Sequence, residues 1–136
     1  MYYSIKSNED IQYFYDKTNS LHDGYIIGVQ YENNRISKTE HGQSFDFERT
    51  KLVLKILVTS ICDAVVELEF DGLYEWQIKD DHWDMTDTTV MFDNHNRIVW
   101  SDDVYINMEE VKKGSYAIAM SMRWRIAEQK PFKSVR

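Results

Sequence analysis

Apolar residues recur at every second position in several stretches of this chain, and the first stretch follows the polar turn at residues 21–24. In residues 25–32, the apolar positions 25, 27, 29 and 31 alternate with a row that contains Gly28 and Gln30. A period of two places alternate side chains on opposite faces of a strand, so one face can be buried while the other stays solvated. The stretch predicts a half-buried antiparallel strand.

Later stretches of the same kind predict further strands at residues 51–58, 64–70, 74–78 and 116–126. Asp71 and Gly72 form a turn signal that is expected to end the second of these. Residues 88–92 and 97–100 predict a hairpin closed by the turn at 93–96. The polar residues 35–48 predict either a hairpin extension or a loop.

The last predicted strand differs between its two faces. One face carries the large apolar residues at 116, 118, 120, 122, 124 and 126. The other begins with Ala117, Ala119 and Ser121, whose small side chains indicate close approach by another element, for which the N-terminal helix is the natural candidate. Arg123 and Arg125 follow, and we expect them to form exposed pairs with the glutamates at 67 and 69, each contributing less than about 1 kcal/mol.

Two helices complete the predicted fold. Residues 7–18 have a helical apolar spacing, Ser7 can cap the helix, and Asp10 follows three residues later as in a capping box. A short helix is predicted at residues 108–113, between Asn107 as a cap and Gly114 as a stop. The chain is therefore expected to be mainly β (α+β). We expect a curved antiparallel sheet of about six or seven strands, a sandwich or an incomplete barrel, with an N-terminal helix packed on it and a short helix before the last strand.

Composition limits the organisation of the chain. With 136 residues, 43% of them hydrophobic, it is expected to form one domain over residues 1–136. The start of the chain lacks the pattern of a signal peptide and no apolar run approaches a membrane span, which favours a cytoplasmic protein with no membrane partner. Cys62 is the only cysteine and is expected to be a buried structural thiol.

The charge is unevenly distributed. The formal net charge is −7, and residues 80–103 hold seven aspartates against one arginine. A net acidic chain lacks the broad basic field that phosphate binding requires, so nucleic acid is not an expected partner and a basic protein is. The predicted binding surface combines these carboxylates with two aromatic anchors. Its residues are Asp80, Asp81, Trp83, Asp84, Asp87, Asp93, Trp100, Asp102 and Asp103.

Other readings of these residues stay open. The aspartates with His82 and His95 could bind a divalent metal, although the spacing lacks the glycine and final glutamate of a helical calcium loop. They could also be a solvated rim that aids solubility. An aromatic stripe could line a ligand pocket but is more commonly core. Its members are Tyr74, Trp76, Phe92, Trp100, Tyr116 and Trp124.

Catalytic chemistry has weak support in the sequence. His22 and Asp23 could form an acid/base pair, but neighbours on an extended chain point to opposite sides. A structural turn is the simpler explanation, in which Asp23 binds local backbone amides and Gly24 relaxes the chain. No nucleophile elbow, phosphate-binding glycine loop or dinucleotide fingerprint is present. The chain is therefore not expected to be an enzyme, and no cofactor is expected.

The order of these motifs resembles a group of small bacterial β-rich proteins, in which a Leu/Phe-His-Asp turn precedes the strands and the closing strand ends in Trp-Arg. The matching segments here are residues 21–23, residues 66–72 and residues 121–125. Some members of that group are similar to immunity protein 50 of polymorphic toxin systems. The resemblance implies a mostly β bacterial protein that works by contact, and it assigns no catalytic residue.

Together these observations predict a non-enzymatic bacterial interaction protein, with the neutralisation of a basic toxin domain through an acidic surface as the leading hypothesis. A small-molecule or divalent-metal-binding module is the alternative. A homodimer is left open.

Overall fold

The computed structural model describes residues 1–33, 36–39, 42–45, 50–79, 84–105 and 107–129. Its strands in chain order are β1 (Tyr3–Ser4), β2 (Gly24–Asn33), β3 (Ile36–Thr39), β4 (Gly42–Phe45), β5 (Thr50–Val58), β6 (Ala64–Gln77), β7 (Thr89–Phe92), β8 (Ile98–Ser101) and β9 (Tyr116–Gln129). The α-helices are α1 (Asn8–Thr18) and α2 (Met108–Val111), and short 3₁₀ turns lie at Asn19–Leu21 and Thr59–Ile61.

Seven strands form one antiparallel sheet. Six of them follow the order β2-β5-β6-β9-β8-β7, and β1 pairs with the C-terminal half of β9. Because β2 and β7 do not pair with each other, the sheet is open and is not a barrel. β3 and β4 form a separate two-stranded sheet, which is the hairpin alternative for this polar stretch. The predicted mainly β fold with two helices is confirmed. Neither helix of the described residues has the length and apolar character needed to cross a bilayer.

Helix α1 begins at the predicted cap. The Ser7 hydroxyl accepts a hydrogen bond from the Asp10 amide at 3.2 Å, and the Asp10 carboxylate accepts one from the Lys6 amide at 2.8 Å. These bonds satisfy amides that have no partner inside the helix. The apolar face of α1 covers the inner face of the sheet, where Phe14 meets the ring of Trp124 edge-on at 5.4 Å between centroids.

Strand β6 continues through the predicted turn at Asp71-Gly72, so the prediction that the strand ends there is wrong. Gly72 has φ +69, and a Cβ at this position would lie 2.6 Å from the sulfur of Met120 on β9. The left-handed residue shifts the pleat of the strand by one position, since Phe70 and Leu73 both face the same core. Gly72 therefore bends a long strand instead of closing a hairpin.

The predicted faces of β9 are also wrong, because this strand shifts its pleat beside the bend in β6. Ala117 and Ala119 share the main core with Met122 and Trp124. A second, smaller core on the opposite face contains Tyr116, Ile118, Val99 and Val111. Two residues expected to be inward are exposed, at Met120 and Ile126. One sheet thus packs a core on each face at different points along its length.

An ionic network covers the outer face of the sheet. The predicted pairs form in register: Arg123 binds Glu69 at 2.5 Å and Arg125 binds Glu67 at 2.8 Å. Lys51 adds a third contact, at 2.7 Å from Glu69. The expectation that these pairs are simply exposed is wrong, since Glu67 and Glu69 are only 7% and 4% exposed.

Tyr2 covers this network from the N-terminal segment. Its ring lies over both guanidinium groups, 4.3 Å from Arg123 and 4.7 Å from Arg125, and its hydroxyl donates to Glu67 at 3.1 Å. Burial opposes ionisation of Glu69, but the hydrogen bonds from Arg123 and Lys51 outweigh it and lower the pKa of that carboxyl.

The burial of Cys62 and of part of the aromatic stripe differs from the prediction. Cys62 is exposed, because it has a left-handed backbone in the turn between β5 and β6, outside the apolar strand in which a buried thiol was expected. In the aromatic stripe, Trp100, Trp124 and Tyr116 are core residues, whereas Tyr74 is exposed.

Candidate functional site

The fold joins the turn at residues 20–24 to the segment at residues 84–88, which lie some sixty positions apart. The Met85 amide donates to the Gly24 carbonyl and the Asp23 amide donates to the Met85 carbonyl, both at 2.8 Å. The Thr88 amide donates to the Ser20 carbonyl at 2.9 Å. This backbone ladder brings the aspartates of the acidic stretch beside the histidine and aspartate of the turn.

Gly24 lies where the turn packs tightly on itself and on β5. It is buried, and a Cβ there would lie 2.7 Å from the Leu21 carbonyl oxygen and 3.0 Å from the side chain of Ile56. Asp23, just before it, has a left-handed φ of 59. The predicted turn forms, but its details differ from the prediction: Asp23 and not Gly24 has the left-handed backbone, and the backbone of Asp23 bonds to Met85 and Thr59.

His22 lies between carboxylates from both segments. Its Nε2 is 3.6 Å from Asp23 Oδ1, and its Nδ1 is 3.6 Å from Asp87 Oδ1 and hydrogen-bonds the Thr86 carbonyl. The expectation that His22 and Asp23 point apart is wrong, because the left-handed turn is not an extended chain. The Thr86 carbonyl, followed by the charges of Asp23, Asp87 and Asp84, raises the pKa of His22.

Hydrogen bonds from hydroxyl groups hold residues 101–103, which include the last two aspartates of the acidic stretch, beside residues 88 and 89. The Thr88 hydroxyl donates to the Ser101 carbonyl at 2.5 Å, and the Thr89 hydroxyl donates to the Asp103 carbonyl at 2.8 Å. The Ser101 hydroxyl also donates to the Asp103 carbonyl, at 2.7 Å. These bonds hold the chain after β8 against the start of β7.

A small open cavity of about 170 Å³ lies between the two parts of the acidic stretch. Its lining includes three carboxylates and two lysines: Asp84, Asp102, Asp103, Lys79 and Lys113. The Lys79 ammonium donates to the Lys113 carbonyl at 2.6 Å, which keeps that lysine at the wall. We call the carboxylates around the turn and this cavity the acidic surface. It consists of Asp23, Asp84, Asp87, Asp102 and Asp103.

The structure supports some of the predicted binding residues and corrects others. Asp84 and Asp103 are exposed, and Asp87 and Asp102 are partly exposed. Trp100 is fully buried in the main core, so its prediction as a surface anchor is wrong. The alternation of β8 could not reveal this, because all four of its residues are buried. Asp80, Asp81 and Trp83 lie outside the described residues.

Asp93 has a structural role in the hairpin between β7 and β8. Its carboxylate accepts hydrogen bonds from the His95 and Arg97 amides, both at 2.9 Å, and from Arg97 Nε at 2.7 Å. Burial opposes ionisation, but the hydrogen bonds from Arg97 and His95 and the charge of Arg97 together outweigh it and lower the pKa of Asp93. The predicted turn at 93–96 is confirmed, and the carboxylate that closes it is engaged within the hairpin.

Comparison with protein families, curated proteins and solved structures found no match to this chain. The resemblance to bacterial immunity proteins therefore stays a prediction. Within the described part of the chain, no group of three or more histidine, cysteine or acidic side chains is arranged to hold a metal ion.

Sequence reasoning missed that Asp23 belongs to the acidic surface and that His22 lies beside it. The local sequence marks residues 21–24 as a turn and residues 80–87 as acidic, and each observation is correct alone. Their contact depends on the backbone ladder between Gly24 and Met85, which no local pattern specifies.

Proposed function

We propose that this chain is a non-enzymatic interaction protein that binds a basic protein partner through the acidic surface. An immunity protein that neutralises a toxin domain is the specific form of this proposal. The main support is the convergence of two distant segments, which places Asp23 and Asp87 within 3.6 Å of one imidazole, while Asp84 and Asp103 line a small cavity. Carboxylates in this arrangement raise the local negative potential more than a dispersed rim does.

Four of the five carboxylates of this surface are available to a partner. Among the described residues, no lysine or arginine forms an ion pair with Asp84 or Asp103. The side chains of Asp23 and Asp87 are 46% and 47% exposed. By contrast, the Asp93 carboxylate is bound by Arg97 and Glu69 is bound by Arg123, so acidic groups elsewhere serve the fold.

A basic partner follows from charge complementarity. Opposite potentials accelerate the encounter of two proteins and make the association rate sensitive to salt. A toxin nuclease with a cationic phosphate-binding cleft would fit this description. The buried position of Trp100 removes one proposed aromatic anchor, which places more of the recognition on the carboxylates and on the rigid backbone of the turn.

The test compares two variants with the same change in charge. Asp84, Asp87 and Asp103 are changed to asparagine in one variant, and exposed acids of the two helices are changed to amides in the control. The control changes are Glu9→Gln, Asp16→Asn and Glu109→Gln. Each protein is used to capture partners from the source organism, and association rates are then measured at low and high salt.

The proposal expects a basic protein that wild type and the helix control retain and the surface variant loses. The surface variant should also show a slower and less salt-dependent association. If both variants lose the partner equally, only net charge matters and the surface is not the site. If both retain it with unchanged rates, the acidic surface does not bind it.

A further inference from the structure

The two edges of the sheet differ in how their backbone groups are covered. At the β7 edge, the Tyr15 hydroxyl on α1 accepts a hydrogen bond from the Val90 amide at 2.8 Å and donates to the Val90 carbonyl at 3.1 Å. A side chain therefore occupies backbone groups that could otherwise pair with another strand. At the β2 edge, Met85 forms a bridge with Gly24 at the start of the strand, and beyond that bridge no strand of the described part of the chain pairs with the outer side of β2.

β2 has the character of a pairing edge. It is ten residues long and Glu32 is its only formally charged residue. Four of its large side chains are 43–46% exposed, at Tyr25, Ile27, Val29 and Tyr31. Natural edges are commonly blunted by lysine, proline or shortness, and β2 has none of these. Its bulge lies at Ile27, and from Gly28 onward its register with β5 is regular.

We propose that two copies of this chain associate by antiparallel pairing of residues 28–32 of β2 about a two-fold axis at Gln30. Such an interface is self-complementary, because each residue meets a different position of the same strand in the second copy. The axis places Val29 opposite Tyr31 of the second copy on the core side. It places Gly28 opposite Glu32 of the second copy on the outer side.

Charge complementarity favours this register. Gly28 pairs with Lys55 on β5, and a Cβ on Gly28 would lie 3.4 Å from the Lys55 side chain, so the lysine stem lies over the glycine. The two-fold axis adds Glu32 of the second copy to the same row, next to the gap that glycine leaves. The side chain of Lys55 is 53% exposed and its ammonium is 4.0 Å from Glu67, which leaves it room to reach outward. The symmetric dimer forms this Lys55–Glu32 pair twice.

Neighbouring registers lack this match. An axis at Tyr31 would pair Glu32 with Gln30 of the second copy, in the row of Val53 instead of a lysine. Within its own chain, Glu32 lies in register with Lys51, and that ammonium is already bound to Glu69 at 2.7 Å. Lys55 is therefore the cation best placed to meet Glu32 of the second copy.

The experiment uses charge reversal and mixing, followed by sedimentation velocity of the full chain at low salt. Wild type is expected to show a concentration-dependent dimer. Glu32→Lys and Lys55→Glu are each expected to weaken dimerisation by about tenfold, because two exposed attractive pairs become repulsive. The control Asp16→Lys makes the same charge change as Glu32→Lys on the exposed side of α1 and is expected to leave the dimer intact.

Mixing the two reversed variants gives the decisive result. In a heterodimer of Glu32→Lys with Lys55→Glu, both cross-interface pairs are attractive again, so the mixture should dimerise more tightly than either variant alone and about as tightly as wild type. Circular dichroism checks that each variant is folded. Wild type that stays monomeric up to about 1 mM, at which only very weak association escapes detection, overturns the proposal. A dimer that Glu32→Lys leaves unchanged, or variants that do not recombine on mixing, also overturn it.

Discussion

Tyr15 on α1 and Val90 on β7 form two hydrogen bonds with each other, although they are 75 positions apart in the chain. One hydroxyl group satisfies both backbone groups of an edge residue and ties the helix to the end of the sheet. Burial raises the pKa of Tyr15, so the hydroxyl stays protonated and can donate at neutral pH.

Tyr15→Phe is expected to lower the free energy of unfolding by about 1 kcal/mol. The substitution removes the hydroxyl, so the amide and the carbonyl of Val90 each lose a hydrogen bond. Urea unfolding at neutral pH measures the change. Tyr25→Phe is the matched control, because Tyr25 is 43% exposed on the opposite edge strand. Equal effects of the two substitutions would show that the Tyr15 bonds do not stabilise the fold.

Gly72→Ala is expected to lower the free energy of unfolding more than an ordinary glycine substitution does. The residue has φ +69, and the new methyl group would lie 2.6 Å from the Met120 sulfur, so strain and steric overlap act together. We expect a loss of about 1–3 kcal/mol in unfolding free energy. Gly28→Ala is the control, measured at a low protein concentration that reports on the monomer, because Gly28 has no left-handed φ and its Cβ would meet Lys55 Cβ at 3.4 Å. A Gly72→Ala protein as stable as the control would contradict the role assigned to this bend.

The sequence predicted the parts of this fold that depend on local patterns. The cap at Ser7 and the cross-strand pairs of Arg123 and Arg125 follow from spacing and alternation. The bend at Gly72 could not be predicted, because Asp-Gly fits a hairpin turn as well as a left-handed residue inside a strand. The shift of pleat in β9 lies beside that bend. Because the bend was predicted as a turn, the faces of β9 were also predicted wrongly.

The candidate site was predictable only in part, for a similar reason. Composition is enough to recognise exposed aspartates, and the predictions for Asp84 and Asp103 as exposed residues agree with the structure. Whether an aromatic residue near them is exposed depends on which element covers it, and Trp100 proved to be core. The approach of His22 to the acidic surface depends on long-range backbone pairing, which composition and periodicity do not contain.

Glu69→Gln is expected to reduce the free energy of unfolding by about 1–3 kcal/mol, after allowance for the solvent exposure of its two cations. The Glu69 side chain is 5% exposed and contacts Arg123 and Lys51, both of which lose a charged partner. Glu75→Gln on the same strand is the control, because Glu75 and its partner Lys112 are 45% and 47% exposed. We expect less than about 1 kcal/mol for the control.

The same pair of variants gives a pH test. The pKa of Glu69 is lowered in the folded state, so its contribution is fully present above the ordinary value of 4.5 and is lost as pH falls through the folded-state pKa. The difference in stability between wild type and Glu69→Gln should therefore shrink as the pH is lowered from 5 to values below 4.5. A difference that is independent of pH over this window would show that the charge of Glu69 is not the source of its effect.

His22 is expected to have the opposite pH dependence. The pKa of His22 is raised by the Thr86 carbonyl and the nearby carboxylates, so its contribution is fully present below the ordinary value of 6.5 and is lost as pH rises through the folded-state pKa. His22→Gln can keep a hydrogen bond to the carbonyl but carries no charge. The stability advantage of wild type over this variant should be larger at pH 5.5 than at pH 8.5. Thermal unfolding at the two pH values measures it, and His95→Gln serves as the control because His95 lies in an exposed turn. An advantage that is equal at both pH values, or larger at pH 8.5, would show that protonated His22 does not hold the residue 84–88 segment to the turn.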